Sequence, residues 1–274
     1  MIRLAVAGVD DATLRDLGRR LQPVRLVRWP CEEADAAAIL GPCDAARRDL
    51  SAASPSLRPL LVCGDVAAAG LPSDSSGGGI RVRNLDRSLP SRQLIRQQLD
   101  AGKLGTPALV RSHRWTSCAA VTSNRLPSGL LIDIDVAQWL MGSPAELVYA
   151  AKSVGGEAIQ IHLGFVAGGM ALLDWGRIPE GEEYRSLSVL GSSGAAYADD
   201  HANRQLVFGG GPARTRVADE MLRGMANLLA DFVKELDGNR VCEKVNAAWH
   251  DAVRVGGAAM RSLKTGQAIR REDF

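Results

Sequence analysis

The order of strand and helix patterns changes near residues 104–107, and this change restricts the fold more than any other feature of the sequence. Before that point, short apolar runs alternate with amphipathic helical patterns, which is typical of a parallel sheet wound by helices. After it, strand patterns follow one another with short turns, which indicates an antiparallel sheet. We therefore expect a small α/β domain followed by an α+β domain with an open, mainly antiparallel sheet.

The first domain opens with a strand, a turn and a helix. Residues 2–9 form an apolar run, and Asp10 follows it as a predicted helix N-cap. Leu14, Leu17 and Leu21 then recur at helical spacing. The next apolar runs predict further strands and lie at residues 24–29, 36–40 and 59–63.

The second and third predicted strands are close together in the sequence. Only residues 30–35 separate them, whereas a parallel crossover that contains a helix usually needs a dozen residues or more. We therefore predict that this crossover has no helix.

The remaining elements complete both domains. We place the domain limits at 1–88 and 89–274, after a Gly- and Ser-rich connector at 69–79. Asp133 is the predicted N-cap of a helix at 133–141, and Gly266 is the predicted stop of the last helix. The other predicted helices span residues 44–50, 91–101, 217–236 and 245–263, and the other predicted strands span 80–82, 108–115, 147–154, 158–165, 170–175, 187–190 and 205–208.

Composition excludes several classes of protein. The chain has 274 residues and a formal net charge of +2, which is too small to indicate nucleic acid or an anionic membrane as a partner. No apolar run is long enough to predict a transmembrane helix. The five cysteines form no CxxC or Cys/His spacing, so we expect no disulfide framework and no metal site, and a cytoplasmic location.

Four segments carry a resemblance to a known family; they lie at residues 99–107, 133–142, 189–194, and 231–233 with 262–266. In order and spacing they resemble the Gfo/Idh/MocA family, which includes glucose–fructose oxidoreductase and inositol dehydrogenase. The resemblance implies a Rossmann-like first domain that binds NAD(P), and this domain is reduced in size here. It also implies that the protein binds a small sugar-like ligand. It also implies a homo-oligomer formed through the second-domain sheet, or contact with a related partner subunit.

The family binds its dinucleotide on a GxGxxG/A turn, and the corresponding residues here are Gly8, Val9, Asp10 and Asp11. Only Gly8 matches that pattern. The two carboxylates suit the N–H groups of a helix N-terminus, but they place negative charge where a pyrophosphate would bind. The turn therefore has two interpretations, an altered anion site or ordinary helix capping.

The family's proton-transfer residues are also replaced. The resemblance places Asp65 at the position of the lysine, Ile132 at that of the histidine and Ser128 at that of its paired aspartate. Asp65 is either an alternative base or a turn residue, and Asp133 is either a catalytic carboxylate or an N-cap. His113, with Arg111 near it, is a candidate contact for a sugar or a carboxylate.

Three hypotheses follow from these replacements. The first is a family relative with a degenerate dinucleotide and catalytic site, without normal hydride transfer, that acts as a binding protein or a partner subunit. The second is a divergent NAD(P)-dependent oxidoreductase that acts on a sugar or polyol-like alcohol. The third is an enzyme of other chemistry that uses Asp65, Asp133 or His113.

Overall fold

The computed structural model describes residues 1–29, 31, 33–40, 59–63, 80–117, 126–178, 183–199, 204–208, 212–216, 219–237 and 243–274. They form two compact units, Met1–Leu89 with Met221–Trp249, and Pro90–Glu220 with His250–Phe274. The domain limits proposed from the sequence, 1–88 and 89–274, differ from these units because a late segment of the chain packs with the first unit.

The described helices are α1 (Asp11–Arg20), α2 (Pro90–Asp100), α3 (Ser128–Met141), α4 (Glu220–Asp237) and α5 (Glu243–Thr265). Short 3-10 helices occur at Leu85–Ser88 and Arg271–Asp273. Asp10 caps α1, as predicted from the sequence, and a glycine at φ +69, Gly266, follows the end of α5. None of the helices in the described ranges is long and apolar enough to cross a membrane.

The first unit contains a five-stranded parallel sheet in the order β2-β1-β3-β4-β5. Its strands are β1 (Arg3–Ala7), β2 (Arg25–Arg28), β3 (Ala36–Ile39), β4 (Leu60–Cys63) and β5 (Ile80–Arg83). Every residue of β3 and β4 is buried, so these two strands are covered on both faces. This burial explains why the sequence shows short continuous apolar runs there instead of alternation.

Helices α1 and α4 cover one face of this sheet. Leu17 of α1 and Phe232 of α4 are completely buried in one apolar cluster with Leu4 of β1 and Leu61 of β4. The segment that the sequence-based limits assigned to the second domain therefore supplies part of the first core. Apolar periodicity predicted the helix itself, but it does not indicate which sheet a helix packs against.

A second apolar cluster, which includes Trp29, lies on the opposite face. Between β2 and β3, the described residues Trp29, Cys31 and 33–35 contain no helix, as the short spacing predicts. Trp29 is buried in a cluster with the alanines Ala5, Ala7 and Ala37 and with larger residues of β3 and β4. The small alanine side chains of β1 and β3 leave room for this indole on the sheet.

The second unit contains a nine-stranded sheet in the order β13-β12-β11-β10-β6-β9-β8-β7-β14. All neighbouring pairs are antiparallel except β6 and β9, which are parallel. Its strands are β6 (Pro107–Thr116), β7 (Ala145–Lys152), β8 (Ala158–Phe165), β9 (Met170–Arg177), β10 (Tyr184–Gly191), β11 (Ala195–Asp199), β12 (Arg204–Phe208), β13 (Pro212–Arg216) and β14 (Ile269–Arg270).

The two faces of this sheet differ. One face, called the inner face below, packs against α2, α3 and α5 through residues such as Val110, Leu173, Ile134 and Val255. The other, called the outer face, carries exposed side chains that include Trp115 and Met170.

The sequence predicted most of the described strands of this sheet and missed three of them. The short strands β11, β13 and β14 were not predicted. Residues 191–194 form the predicted turn between β10 and β11, closed by the Gly191 N–H donating to the Gly194 carbonyl at 2.8 Å. The predicted helix at 44–50 and the connector at 69–79 lie outside the described residues.

Candidate functional site

The turn between β1 and α1 is the first place where chemistry is expected. Gly8 has φ +79, a conformation that favours glycine, so it lets the chain turn sharply from the strand towards the helix. Asp10 is the N-cap, and its Oδ1 accepts a hydrogen bond from the Thr13 N–H at 2.7 Å. This bond stabilises the carboxylate form and lowers the pKa of Asp10 from its ordinary value.

An ion pair joins this turn to the end of β2. Arg28, the last residue of β2, donates from both Nε and Nη2 to Oδ1 of Asp11, the first residue of α1, with the Nε–Oδ1 distance at 2.9 Å. Both side chains are more than half exposed. Together, Asp10 and Asp11 place two carboxylates at the start of α1, one on the helix N–H groups and one on the guanidinium of Arg28.

The predicted role of Asp133 as an N-cap is wrong. Helix α3 begins five residues earlier, at Ser128, and Pro127 precedes it without a side-chain cap. The helix extends this far because Leu130 is completely buried in the core of the second unit and belongs to the same packed face as Ile134. Asp133 therefore lies in the second turn, where no N–H group needs a cap.

Asp133 instead forms a buried ion pair with Arg114 of β6. Arg114 donates from Nε to Oδ2 at 3.0 Å and from Nη2 to Oδ1 at 2.8 Å, which is a bidentate geometry. The side chains are 12% and 5% exposed, so water screens this pair weakly. Both oxygens of the Asp133 carboxylate are therefore already engaged as hydrogen-bond acceptors of one guanidinium.

The outer face of the second sheet is organised in rows of residues that are paired across neighbouring strands. Because the strands alternate their side chains, every second residue belongs to this face. The first row is apolar and consists of Leu190, Leu109, Met170, Gly164 and Leu147. The second consists of Ser188, Arg111, Leu172, His162 and Tyr149, the third of Ser186, His113, Asp174, Gln160 and Ala151, and the fourth of Tyr184, Trp115, Gly176 and Ala158.

A polar network occupies the middle of the outer face, with Asp174 at its centre. The Asp174 Oδ2 atom lies 3.0 Å from His113 Nδ1 and 3.3 Å from Arg111 Nη2. Its Oδ1 accepts a hydrogen bond from Gln160 Nε2 at 2.6 Å. The Gln160 Oε1 atom in turn lies 2.9 Å from His162 Nε2. The network spans β6, β9 and β8, and it fixes the rotamer of each member.

Solved structures similar to this chain cover both units. A myo-inositol 2-dehydrogenase from Lactobacillus plantarum matches with a TM-score of 0.70 and 18% identity over 98% of this chain and 99% of that chain. A myo-inositol dehydrogenase from Corynebacterium glutamicum matches with a TM-score of 0.69 and 14% identity over 99% of each chain. The chain has the fold of the Gfo/Idh/MocA oxidoreductases. An oxidoreductase from Agrobacterium radiobacter, solved with NAD+, L-tartaric acid and magnesium, has the same fold, with a TM-score of 0.71 and 12% identity over 98% of each chain.

The sequence alone matches no protein-family model and no curated protein. The likeness to the Gfo/Idh/MocA fold therefore rests on the course of the backbone, with identities of 12% to 18% among these three structures. At such identities the backbone establishes the fold, and any activity has to be argued from the residues of the site.

Several residues that the resemblance singled out are now placed within this fold. Ser128 is the first residue of α3, and Ile132 is buried in its second turn. Asp135 is also buried, and its spacing from Asp133 directs the two carboxylates to different sides of the helix. Asp65 lies outside the described residues. No cluster of three or more metal-ligating side chains occurs in the described ranges.

His113 and Arg111 lie on the outer face of the Gfo/Idh/MocA-type sheet, opposite the face that carries α3. Both side chains contact Asp174, a residue that the sequence reasoning missed together with Gln160. A usable signal was present, because Asp174 stands between the apolar residues Leu173 and Trp175 in a strand pattern. Alternation of this kind directs a polar residue to the face opposite the core.

Proposed function

We propose that this chain is a Gfo/Idh/MocA-fold protein with a degenerate dinucleotide site and without normal hydride transfer, and that it acts as a binding protein or a partner subunit. The observation that carries this proposal is the pairing of Asp11 with Arg28 beside the Asp10 cap. A pyrophosphate normally occupies the N–H groups at the start of the first helix. Here a carboxylate already accepts from one of them.

The negative charge at the turn between β1 and α1 also supports a degenerate dinucleotide site. A dinucleotide brings two negative phosphates, and Asp10 and Asp11 would face them with like charge. Arg28 stands at the end of β2, where an acidic residue would bind the ribose hydroxyls of NAD, and it is engaged by Asp11. The crossover after Arg28 also lacks a helix in its described residues. The residues of this turn therefore fit a dinucleotide poorly.

The decisive experiment is a titration of the whole protein with NADH and with NADPH, followed by thermal shift and calorimetry. A ligand present at 100 times its Kd would stabilise the native state by about 2.7 kcal/mol. We expect no change in melting temperature at millimolar cofactor. A clear rise, with a calorimetric Kd below millimolar, would contradict the proposal.

A double variant tests the cause. In Asp10→Gly with Asp11→Ser, the turn loses both carboxylates and Arg28 is released. If like charge excludes the dinucleotide, this variant binds NADH more tightly than the wild type does. The matched control is Asp16→Ser, which removes an exposed carboxylate from the same helix further along.

The alternative is a divergent NAD(P)-dependent oxidoreductase that acts on a sugar or polyol-like alcohol. It is favoured by the end-to-end likeness to dehydrogenase and oxidoreductase structures, and one of the oxidoreductases was solved with NAD+. The same titration separates the two candidates, because the alternative requires cofactor binding. NAD+ reduction in the presence of a panel of polyols would then identify its substrate.

The apolar row of the outer face supports the proposed contact with a second copy of the chain. Met170, Leu190 and Leu147 are 51%, 47% and 39% exposed, and they lie in one row across the sheet, with Leu109 and Gly164 between them. Exposed apolar surface of this kind marks association sites, and a stable interface buries roughly 800 Å² on each partner.

Sedimentation velocity tests this contact. We expect an oligomer for the wild type and dissociation for Met170→Glu, which places a charge in the middle of the row. Val166→Glu is the control, because Val166 is 75% exposed in the turn between β8 and β9 and lies outside the row. A wild type that stays monomeric at high concentration would overturn the homo-oligomer.

A further inference from the structure

The outer face contains a cleft at the end opposite its apolar row. The cleft has a volume of about 400 Å³, within the range of small-molecule sites. Its floor consists of small residues, Ala151, Ala158 and Gly176, and the indole of Trp115 stands at one side. Lys152 and Ser153, at the end of β7 and just beyond it, contribute the opposite side.

The indole of Trp115 is held in position and still exposed. Its ring packs against Tyr184 with the centroids 5.0 Å apart and the planes tilted by 41°. A side chain at Gly176 would begin 3.4 Å from Cδ1 of Trp115, so the glycine keeps the floor beneath the indole clear. Trp115 nevertheless remains 47% exposed, which leaves aromatic surface for a ligand.

Polar groups lie at the end of the cleft that is nearer to the apolar row. Asp174 and Gln160 both line it, and the 2.6 Å hydrogen bond between them fixes their relative orientation. His113 and Arg111 hold the other carboxylate oxygen of Asp174 from outside the cleft. An aromatic surface, a small floor and fixed polar groups thus converge on one cavity.

We propose that this cleft binds a neutral pyranose sugar. The C–H face of the ring packs on the indole of Trp115, and the ring hydroxyls donate to Asp174 and accept from the amide of Gln160. Such a ligand has one apolar face and a polar rim, which matches the distribution of groups here. A flat apolar ligand would displace water from the carboxylate and the amide without replacing the hydrogen bonds of that water.

The cleft is separate from the proposed contact between two copies. The apolar row and the row of Trp115 are six residue positions apart along each strand, for example from Leu109 to Trp115. At about 3.3 Å per residue, this separation is roughly 20 Å. The proposal also does not rest on the state of the dinucleotide turn, because every lining residue belongs to the second unit.

Saturation-transfer NMR with methyl β-D-glucopyranoside and methyl β-D-galactopyranoside tests the proposal. We expect millimolar binding of at least one of them, with the strongest transfer to the C–H face of the ring. Trp115→Ala and Gly176→Val should each weaken binding at least tenfold, the first by removing the platform and the second by filling the floor. Trp115→Phe should retain part of the affinity.

The control is Tyr149→Ala, an aromatic truncation on the same face and outside the cleft lining. It should leave sugar binding unchanged, and near-ultraviolet circular dichroism should show that all variants are folded. Failure of both glycosides to bind the wild type would overturn the proposal. So would binding that persists in Trp115→Ala and in Gly176→Val, because the sugar would then sit elsewhere, and so would preferential binding of adenosine over the glycosides.

Discussion

The two sheets of this protein make different use of their faces. In the parallel sheet, β3 and β4 are buried at every position, and the capped turn at Asp10 and Asp11 follows the end of β1. In the nine-stranded sheet, β8 alternates between buried and exposed residues along its length. One face of this second sheet therefore carries a network, an apolar row and a cleft, whereas β3 and β4 of the first sheet leave no exposed side chain for such groups.

This contrast explains where a change in function can arise in this fold. A site at the end of buried strands depends on a few turn residues, which in this chain are Asp10, Asp11 and Arg28. A site on an exposed sheet face draws on many strands, and each contributes one side chain per row. Substitutions that compare equivalent positions on the two sheets, or on the two faces of one sheet, test this view.

The largest effect is expected from the buried pair on the inner face. Asp133→Ala leaves the Arg114 guanidinium without its bidentate partner at 12% exposure, and loss of one partner of a buried pair costs about 3–5 kcal/mol. Urea unfolding followed by circular dichroism measures this loss. The double variant Arg114→Met with Asp133→Leu should recover most of the stability, because it leaves no buried charge unpaired.

The corresponding substitution on the outer face, Asp174→Ala, is compared with Asp133→Ala. Asp174→Ala removes an acceptor that is 20% exposed and whose partner Arg111 is 47% exposed, so solvent replaces much of what is lost. We expect a clearly smaller change in the urea midpoint than for Asp133→Ala. Equal losses would show that the outer face is as well shielded as the inner one.

The second prediction compares apolar truncations on the two faces of β9. Leu173 is completely buried, and Leu173→Ala should cost about 2–5 kcal/mol through lost burial and the cavity left behind. Met170→Ala, at 51% exposure in the same strand, should stay within about 0.5 kcal/mol in the monomer. Thermal unfolding at low protein concentration makes this comparison, and a large loss for Met170→Ala would contradict it.

The sequence indicated the parallel and the antiparallel sheet because the burial of a strand determines whether its apolar residues are continuous or alternate with polar ones. Continuous apolar runs such as Ala36–Ile39 indicated buried parallel strands, and the short spacing after Trp29 predicted a crossover without a helix. The start of α3 was missed because the apolar residues from Leu130 onward carry no capping signal, and Asp133 resembled a cap. The site on the outer face was missed because its row partners are distant in sequence, as Trp115 and Gly176 are.

The third prediction tests the tight packing of the parallel sheet. Ala38 is completely buried, between Val6 of β1 and Leu61 of β4 in register. Ala38→Leu inserts carbon atoms where no space exists, and overpacking of this kind costs about 1–3 kcal/mol. The same substitution at Ala151, an exposed position of the outer face, should leave the melting temperature nearly unchanged. A similar drop for both variants would contradict the difference in packing between the sheets.

The smallest effect is expected at the strand end of the first sheet, and it depends on pH. The hydrogen bond from Thr13 lowers the pKa of Asp10 in the folded protein below the ordinary value of 3.8. The cap therefore contributes fully above that value, and its contribution is lost as the pH falls through the lowered pKa. The difference in melting temperature between the wild type and Asp10→Ala should accordingly shrink under acid conditions.

Asp10→Asn keeps an acceptor that does not titrate, so its advantage over Asp10→Ala should stay constant with pH. If the wild-type advantage also stays constant below pH 3.8, the carboxylate charge of Asp10 plays no part in holding this turn.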